Sequence, residues 1–121
     1  MTRGKIVLIP FPFDDLSASK VRPAVCLTDP TGPHRHVILA FITSKEPDEL
    51  LESDVLLSDQ NPVFSETGLR ISSTLRLHRL LTVSTSLIRR ELGQLPDSVQ
   101  KEAEGKLCTL FGVARTAPPH F

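Results

Sequence analysis

Two compact apolar blocks, Ile6 to Phe11 and Val37 to Ile42, constrain this chain most. Each is rich in β-branched or bulky residues and bounded by proline or polar groups, which is the pattern of a strand. Ile6-Val7-Leu8-Ile9 is continuous, as in a strand buried on both faces. The polar stretch after the first block ends in Arg22-Pro23-Ala24-Val25, and the second block runs into Thr43-Ser44-Lys45. A stiffly held arginine at the mouth of one strand, with hydroxyls and a cation at the end of another, reads as an anion site.

The remaining pattern is also that of a small β protein. Pro23 to Thr28 is expected as a second strand with Pro23 at its first position, where a missing N–H is tolerated. His36 to Thr43 is the third, and Asp54 to Ser58 a short fourth. Glu46 to Glu52 suits one acidic helical turn, and Asp59 to Gly68 a loop. Leu75 and Leu77 alternate with Arg76 and His78, so a strand there puts leucines in the core and the basic pair on the other face. Leu87 to Leu95 reads as a strand with a bulge at Gly93. One helix closes the pattern: Asp97 is its expected cap with Gln100 as reciprocal partner, and Val99, Ala103, Leu107, Leu110 and Phe111 recur at helical spacing before Gly112. Short strands followed by one amphipathic helix predict a mainly β fold, a small, strongly bent SH3-like barrel with a C-terminal helix.

A length of 121 residues fits a single domain, expected over residues 1–112, with a flexible proline-containing tail over 113–121. No apolar run approaches the roughly 20 residues of a membrane span. The start lacks a cleavable-leader pattern, so no membrane association and a cytoplasmic location are expected. Cys26 and Cys108 both sit among apolar neighbours and are expected buried and reduced. His34, His36, His78 and His120 fall into no zinc-binding spacing, so neither a metal nor another cofactor is expected.

The formal net charge is zero, yet the charges are segregated. Glu46, Asp48, Glu49, Glu52, Asp54 and Asp59 form an acidic run without a base, whereas Arg70, Arg76, Arg79, Arg89 and Arg90 fall in a stretch without an acid. Either one face is positive and attracts a phosphate chain, or these arginines pair with the acidic run across the fold. Arg22 likewise either grips a phosphate or ends its loop in an ion pair with Asp14 or Asp15. Thr43 and Ser44 are alone consistent with turn chemistry. Together with Arg22 they offer what RNA cleavage needs without a metal: a cation for the charge building on phosphorus, and hydroxyls to hold the phosphate or the attacking 2'-oxygen.

Gly4-Lys5-Ile6-Val7, Arg22-Pro23-Ala24-Val25, Ala40-Phe41-Ile42-Thr43-Ser44, Gly68-Leu69 with Ser72, and Leu92-Gly93-Gln94-Leu95 with the final helix resemble the MazF/PemK-like toxins of bacterial toxin–antitoxin pairs. The likeness runs over roughly residues 4–112. It implies an SH3-like barrel, a homodimer, a cognate antitoxin partner, and a metal-independent, sequence-specific endoribonuclease acting on single-stranded mRNA. In that chemistry the 2'-hydroxyl attacks the adjacent phosphate and leaves a 2',3'-cyclic phosphate and a 5'-hydroxyl. Arg22 matches the family's catalytic arginine and Thr43 its catalytic threonine. Lys20, Ser44, Lys45, Ser72 and Arg76 are the candidates for substrate binding. The chain departs from the family pattern at Lys5, where an acid is usual, and at Ser19-Lys20-Val21, where a glutamate is frequent. A gyrase-poisoning toxin that cuts no RNA, or an interaction module on the same barrel, stays open as the alternative.

Overall fold

The computed structural model describes residues 2–11 and 20–114; the polar loop expected over Phe13 to Val21 lies outside them up to residue 19, while Lys20 and Val21 already belong to a strand, and the tail beyond residue 114 also lies outside them. Six strands precede one helix: β1 (Lys5–Phe11), β2 (Lys20–Cys26), β3 (His36–Thr43), β4 (Asp54–Leu57), β5 (Ser73–Ser84), β6 (Arg90–Gln94) and α1 (Asp97–Leu110). All pairings are antiparallel, in the order β4-β5-β3-β2-β1-β6. The result is the expected mainly β fold, a half-barrel sheet with a C-terminal helix.

Strand alternation gives this sheet two apolar faces. Ile6, Val25, Ala40, Ile42, Val55, Leu57, Leu75 and Leu77 form one core with Leu95, Val99 and Ala103 around α1. Val7, Ile9, Ala24, Cys26, Val37, Leu39 and Val83 form a second, to which Phe41, Leu81 and Ile88 add partly buried surface. Helix α1 packs against β4 and β5. Arg22, Thr43 and Arg76, discussed below, lie on β2, β3 and β5, three of the strands that carry this second core.

Several local expectations are corrected. Pro23 lies inside β2, paired with Leu8, because the β2–β3 ladder ends at Ala24 and the missing N–H falls where β2 has only β1 beside it. Residues 46–52 form no helical turn. Pro47 interrupts the segment, and the Leu51 N–H instead donates to Asp54 Oδ2 at 2.8 Å. The loop from Asp59 to Gly68 contains a 3-10 turn over Phe64–Thr67. Asp97 does not cap α1. Pro96 occupies the capping position without a side-chain bond, and Asp97 stands in the first turn, where its charge favours the helix end. Leu110 and Phe111, expected in the core, are exposed, since the buried stripe of α1 ends before the last turn. Cys26 is buried, whereas Cys108 is only half-buried. Gly112, with φ +69, takes the left-handed conformation expected at the helix end.

The bulge expected at Gly93 is present one residue away. Ile6 pairs with Gly93 but Val7 with Glu91, which leaves Leu92 extra on β6. Glycine is required beside it: a Cβ on Gly93 would stand 2.2 Å from the Glu66 carbonyl oxygen of the 3-10 turn. A larger bulge interrupts β5. Ala40 pairs with Leu80 but Phe41 with Arg76, so Leu77, His78 and Arg79 arch out of the ladder.

Candidate functional site

Strand register brings the candidate residues together. The β2–β3 ladder pairs Ala24 with Phe41. Arg22 and Thr43 each lie two residues beyond that pair, on the same face as it and at the same level of the sheet. On the other side of β3, Phe41 pairs with Arg76, and Arg76 pairs in turn with Asp54 on β4. Asp54, Arg76, Phe41 and Ala24 therefore form one row across four strands, with Thr43 and Arg22 in the row beside it.

These side chains line an open cavity of about 420 Å³, whose wall is made by Arg22, Phe41, Ile42, Thr43, Lys45, Glu46, Pro47, Asp48, Arg76 and Arg79. The β5 bulge explains the presence of Arg79, whose guanidinium carbon lies 5.9 Å from the centre of the Phe41 ring, in cation–π range. Four cationic side chains and two carboxylates line the wall, which biases the cavity towards an anion although the whole chain is neutral. Arg22 is exposed and engages in contacts within the fold.

Thr43 combines turn chemistry with a place in the cavity. Its Oγ1 accepts the Lys45 N–H at 3.1 Å, while the contact from its hydroxyl to the Lys45 carbonyl is long at 3.4 Å. The hydroxyl hydrogen is thus weakly held and can turn towards a bound oxygen. Asp54 is buried, with Oδ1 2.9 Å from Arg76 Nε. The N–H does not point along that line, so the contact is an ion pair and not a formal hydrogen bond. The expected pairing of an arginine with the acidic run is realised here, within the same wall that offers cations.

Not every candidate joins this cavity. Ser44 and Ser72 line a neighbouring one of about 370 Å³ together with Ser58, Ser73 and Thr74, and the two cavities share Glu46. The Ser72 Oγ already accepts the Asp59 N–H at 2.8 Å. Lys20, at the start of β2, is exposed and stands outside both walls. Arg79, Phe41 and Asp54 were not among the sequence candidates. An acid at the start of a short strand and an arginine in a basic run were visible, but not the register that places them here.

The PemK-like, MazF-like toxins of type II toxin–antitoxin systems match this chain over residues 2–111. The chain belongs to this toxin family. Solved MazF structures share its fold. The Mycobacterium tuberculosis toxin MazF-mt6 superposes with a TM-score of 0.67 at 19% identity, covering 91% of this chain and 98% of that one. An endoribonuclease in complex with its cognate antitoxin, from a mycobacterial species, gives 0.67 at 12% identity, covering 98% and 99%. The MazE–MazF structure from Deinococcus radiodurans gives 0.67 at 18% identity over 94% and 98%. No curated protein sequence matches the chain significantly. For a MazF/PemK-like toxin, the Arg22–Thr43 cavity is the candidate site. No helix among the described residues is long and apolar enough to cross a membrane.

Proposed function

We propose that this toxin is a metal-independent endoribonuclease that cuts single-stranded mRNA at the Arg22–Thr43 cavity. The observation that carries the reading is the convergence of Arg22, Thr43, Lys45, Arg76 and Arg79 on one open wall. In the reaction the RNA 2'-oxygen attacks the adjacent phosphorus as its proton leaves. The bond from phosphorus to the 5'-oxygen breaks, that oxygen takes up a proton, and a 2',3'-cyclic phosphate remains. Negative charge builds on the non-bridging oxygens, and a guanidinium fork fixed beside them lowers the barrier. Arg22 supplies that fork and the Thr43 hydroxyl orients the phosphate. Lys45 holds the flanking backbone, Arg76 faces the same phosphate from the side of Thr43 away from Arg22, and Phe41 with Arg79 offers a ring and a guanidinium plane to an unstacked base. Ser44 and Ser72 contact a neighbouring nucleotide in the adjacent cavity, and Lys20 attracts the strand from outside both walls.

The protein acts in the cytoplasm as a homodimer, and a cognate antitoxin protein silences it by covering the cavity. Structural neighbours described as an endoribonuclease with its cognate antitoxin and as MazE–MazF support that partnership. Residues 1–112 form its single functional domain. The reading is tested by incubating the purified protein with a long single-stranded RNA in EDTA and mapping the ends. Discrete cuts with 5'-hydroxyl ends are expected; intact RNA with a folded sample would favour a toxin that poisons a protein target.

A further inference from the structure

Among the described residues, Asp54 is the only acidic or basic side chain that is buried. Three elements hold it there. Its Oδ2 accepts the Leu51 N–H at 2.8 Å, its backbone carbonyl accepts from Lys106 Nζ of α1 at 2.6 Å, and its Oδ1 stands 2.9 Å from Arg76 Nε. The Asp54 side chain is 2% exposed and that of Arg76 18% exposed. Removing such a pair from water is costly, and an apolar pair of similar volume usually holds a sheet together at least as well. Burial of this carboxylate therefore calls for a reason other than stability. Arg76 supplies one, since it lines the cavity on the side of Thr43 away from Arg22.

We propose that Asp54 is a positioning residue, which anchors Arg76 so that the cavity presents a second, preorganised guanidinium to the phosphate held between Arg22 and Thr43. The inference rests on the reading of that cavity as an RNA-cleavage site. A free arginine side chain samples many rotamers and must be ordered as the charge develops. One held in an ion pair with a fixed, buried carboxylate is already ordered, and its charge is retained. The carboxylate touches no substrate in this arrangement and acts only through Arg76.

The test is a double-variant cycle read by single-turnover cleavage of a mapped RNA, with melting temperatures for each protein. Asp54→Asn keeps the shape and the acceptor for Leu51 but removes the charge. It is expected to lower the cleavage rate about 10- to 100-fold, with little change in the RNA concentration at half-saturation. Arg76→Ala should fall at least as far, and Asp54→Asn should then lower it no further. Should Asp54→Asn not fold, the wild-type Arg76 Nε–H is followed by nitrogen-15 NMR, where it is expected to exchange with water more slowly than that of Arg79. Equal losses from Asp54→Asn in both backgrounds, unchanged cleavage by that variant, or equal exchange at Arg76 and Arg79 would overturn the positioning role and leave the nuclease reading standing. A wild-type protein that cuts no RNA would overturn both.

Discussion

Arg22 and Thr43 stand on neighbouring antiparallel strands, each two residues past the Ala24–Phe41 pair, so one side of the sheet carries a guanidinium and a hydroxyl at the same level. Both lie beyond the last pair of the β2–β3 ladder, which explains how an apolar sheet displays two polar groups without burying either. The β2–β3 ladder fixes their spacing, and the antiparallel register, not their separation along the chain, makes them neighbours.

The bulge in β5 should matter for RNA capture more than for folding. Arg79 sits in the bulge with its guanidinium over Phe41 and is exposed. Arg79→Gln is therefore expected to melt within a few degrees of the wild type but to bind single-stranded RNA more weakly. If Arg79 neutralises one phosphate, the slope of log affinity against log salt should shrink by about 0.7. Unchanged RNA affinity would remove Arg79 from the RNA path.

Close packing of β6 on the 3-10 turn predicts an unusual sensitivity at one glycine. A Cβ on Gly93 would meet the Glu66 carbonyl oxygen at 2.2 Å and the Thr67 carbonyl carbon at 2.6 Å, both backbone atoms with little room to move. Gly93→Ala should cost about 2–4 kcal/mol, measured by denaturant unfolding. Gly112→Ala meets no atom within 4 Å and bears only the strain of its positive φ, so a loss of about 1 kcal/mol is expected there. Similar losses at the two sites would contradict the close packing at Gly93.

Burial separates the two thiols. Desolvation, with a smaller contribution from the Glu91 charge, pushes the Cys26 thiol up to about 11. A thiol reagent at pH 8 should therefore modify Cys108 quickly and Cys26 only on unfolding. The sign of the pH effect follows from linkage. The folded state keeps the Cys26 proton after the unfolded chain has lost it, so stability is full below about pH 9 and declines as pH rises towards 11. Cys26→Ala should lose this part of the alkaline decline in urea melts from pH 8 to 10.5; an identical decline in both proteins would refute it.

Much of this fold was legible because alternation and block length are local signals. His36–Thr43 matches the observed β3, and Leu75 and Leu77 are buried with Arg76 on the opposite face. Gly93 stands where a Cβ would meet backbone, and Gly112 takes a left-handed φ that favours glycine. The departures have a common origin in tertiary structure. The Asp54 carboxylate takes up the Leu51 N–H beside a segment that composition alone would make helical. The alternation from Leu75 to His78 gives way to consecutive polar residues at His78-Arg79, but nothing local says that this break is a bulge within one continuous strand. Charge segregation was visible, but its outcome was mixed: Arg76 pairs with Asp54, as in the neutralising reading, and still lines the cationic wall, as in the other. Ser44 and Ser72 came together as a pair, though in the adjoining cavity, because Ser44 follows the last residue of β3 and lines the wall next to β4.

The most direct measurement compares wild-type protein with Arg22→Ala on one mapped RNA in EDTA under single-turnover conditions, with melting curves of both. Loss of cleavage by about 100- to 1000-fold, with the melting temperature kept, is the expected result for a guanidinium that stabilises the transition state. Cleavage by Arg22→Ala at the wild-type rate and the same sites would contradict a nuclease centred on the Arg22–Thr43 cavity.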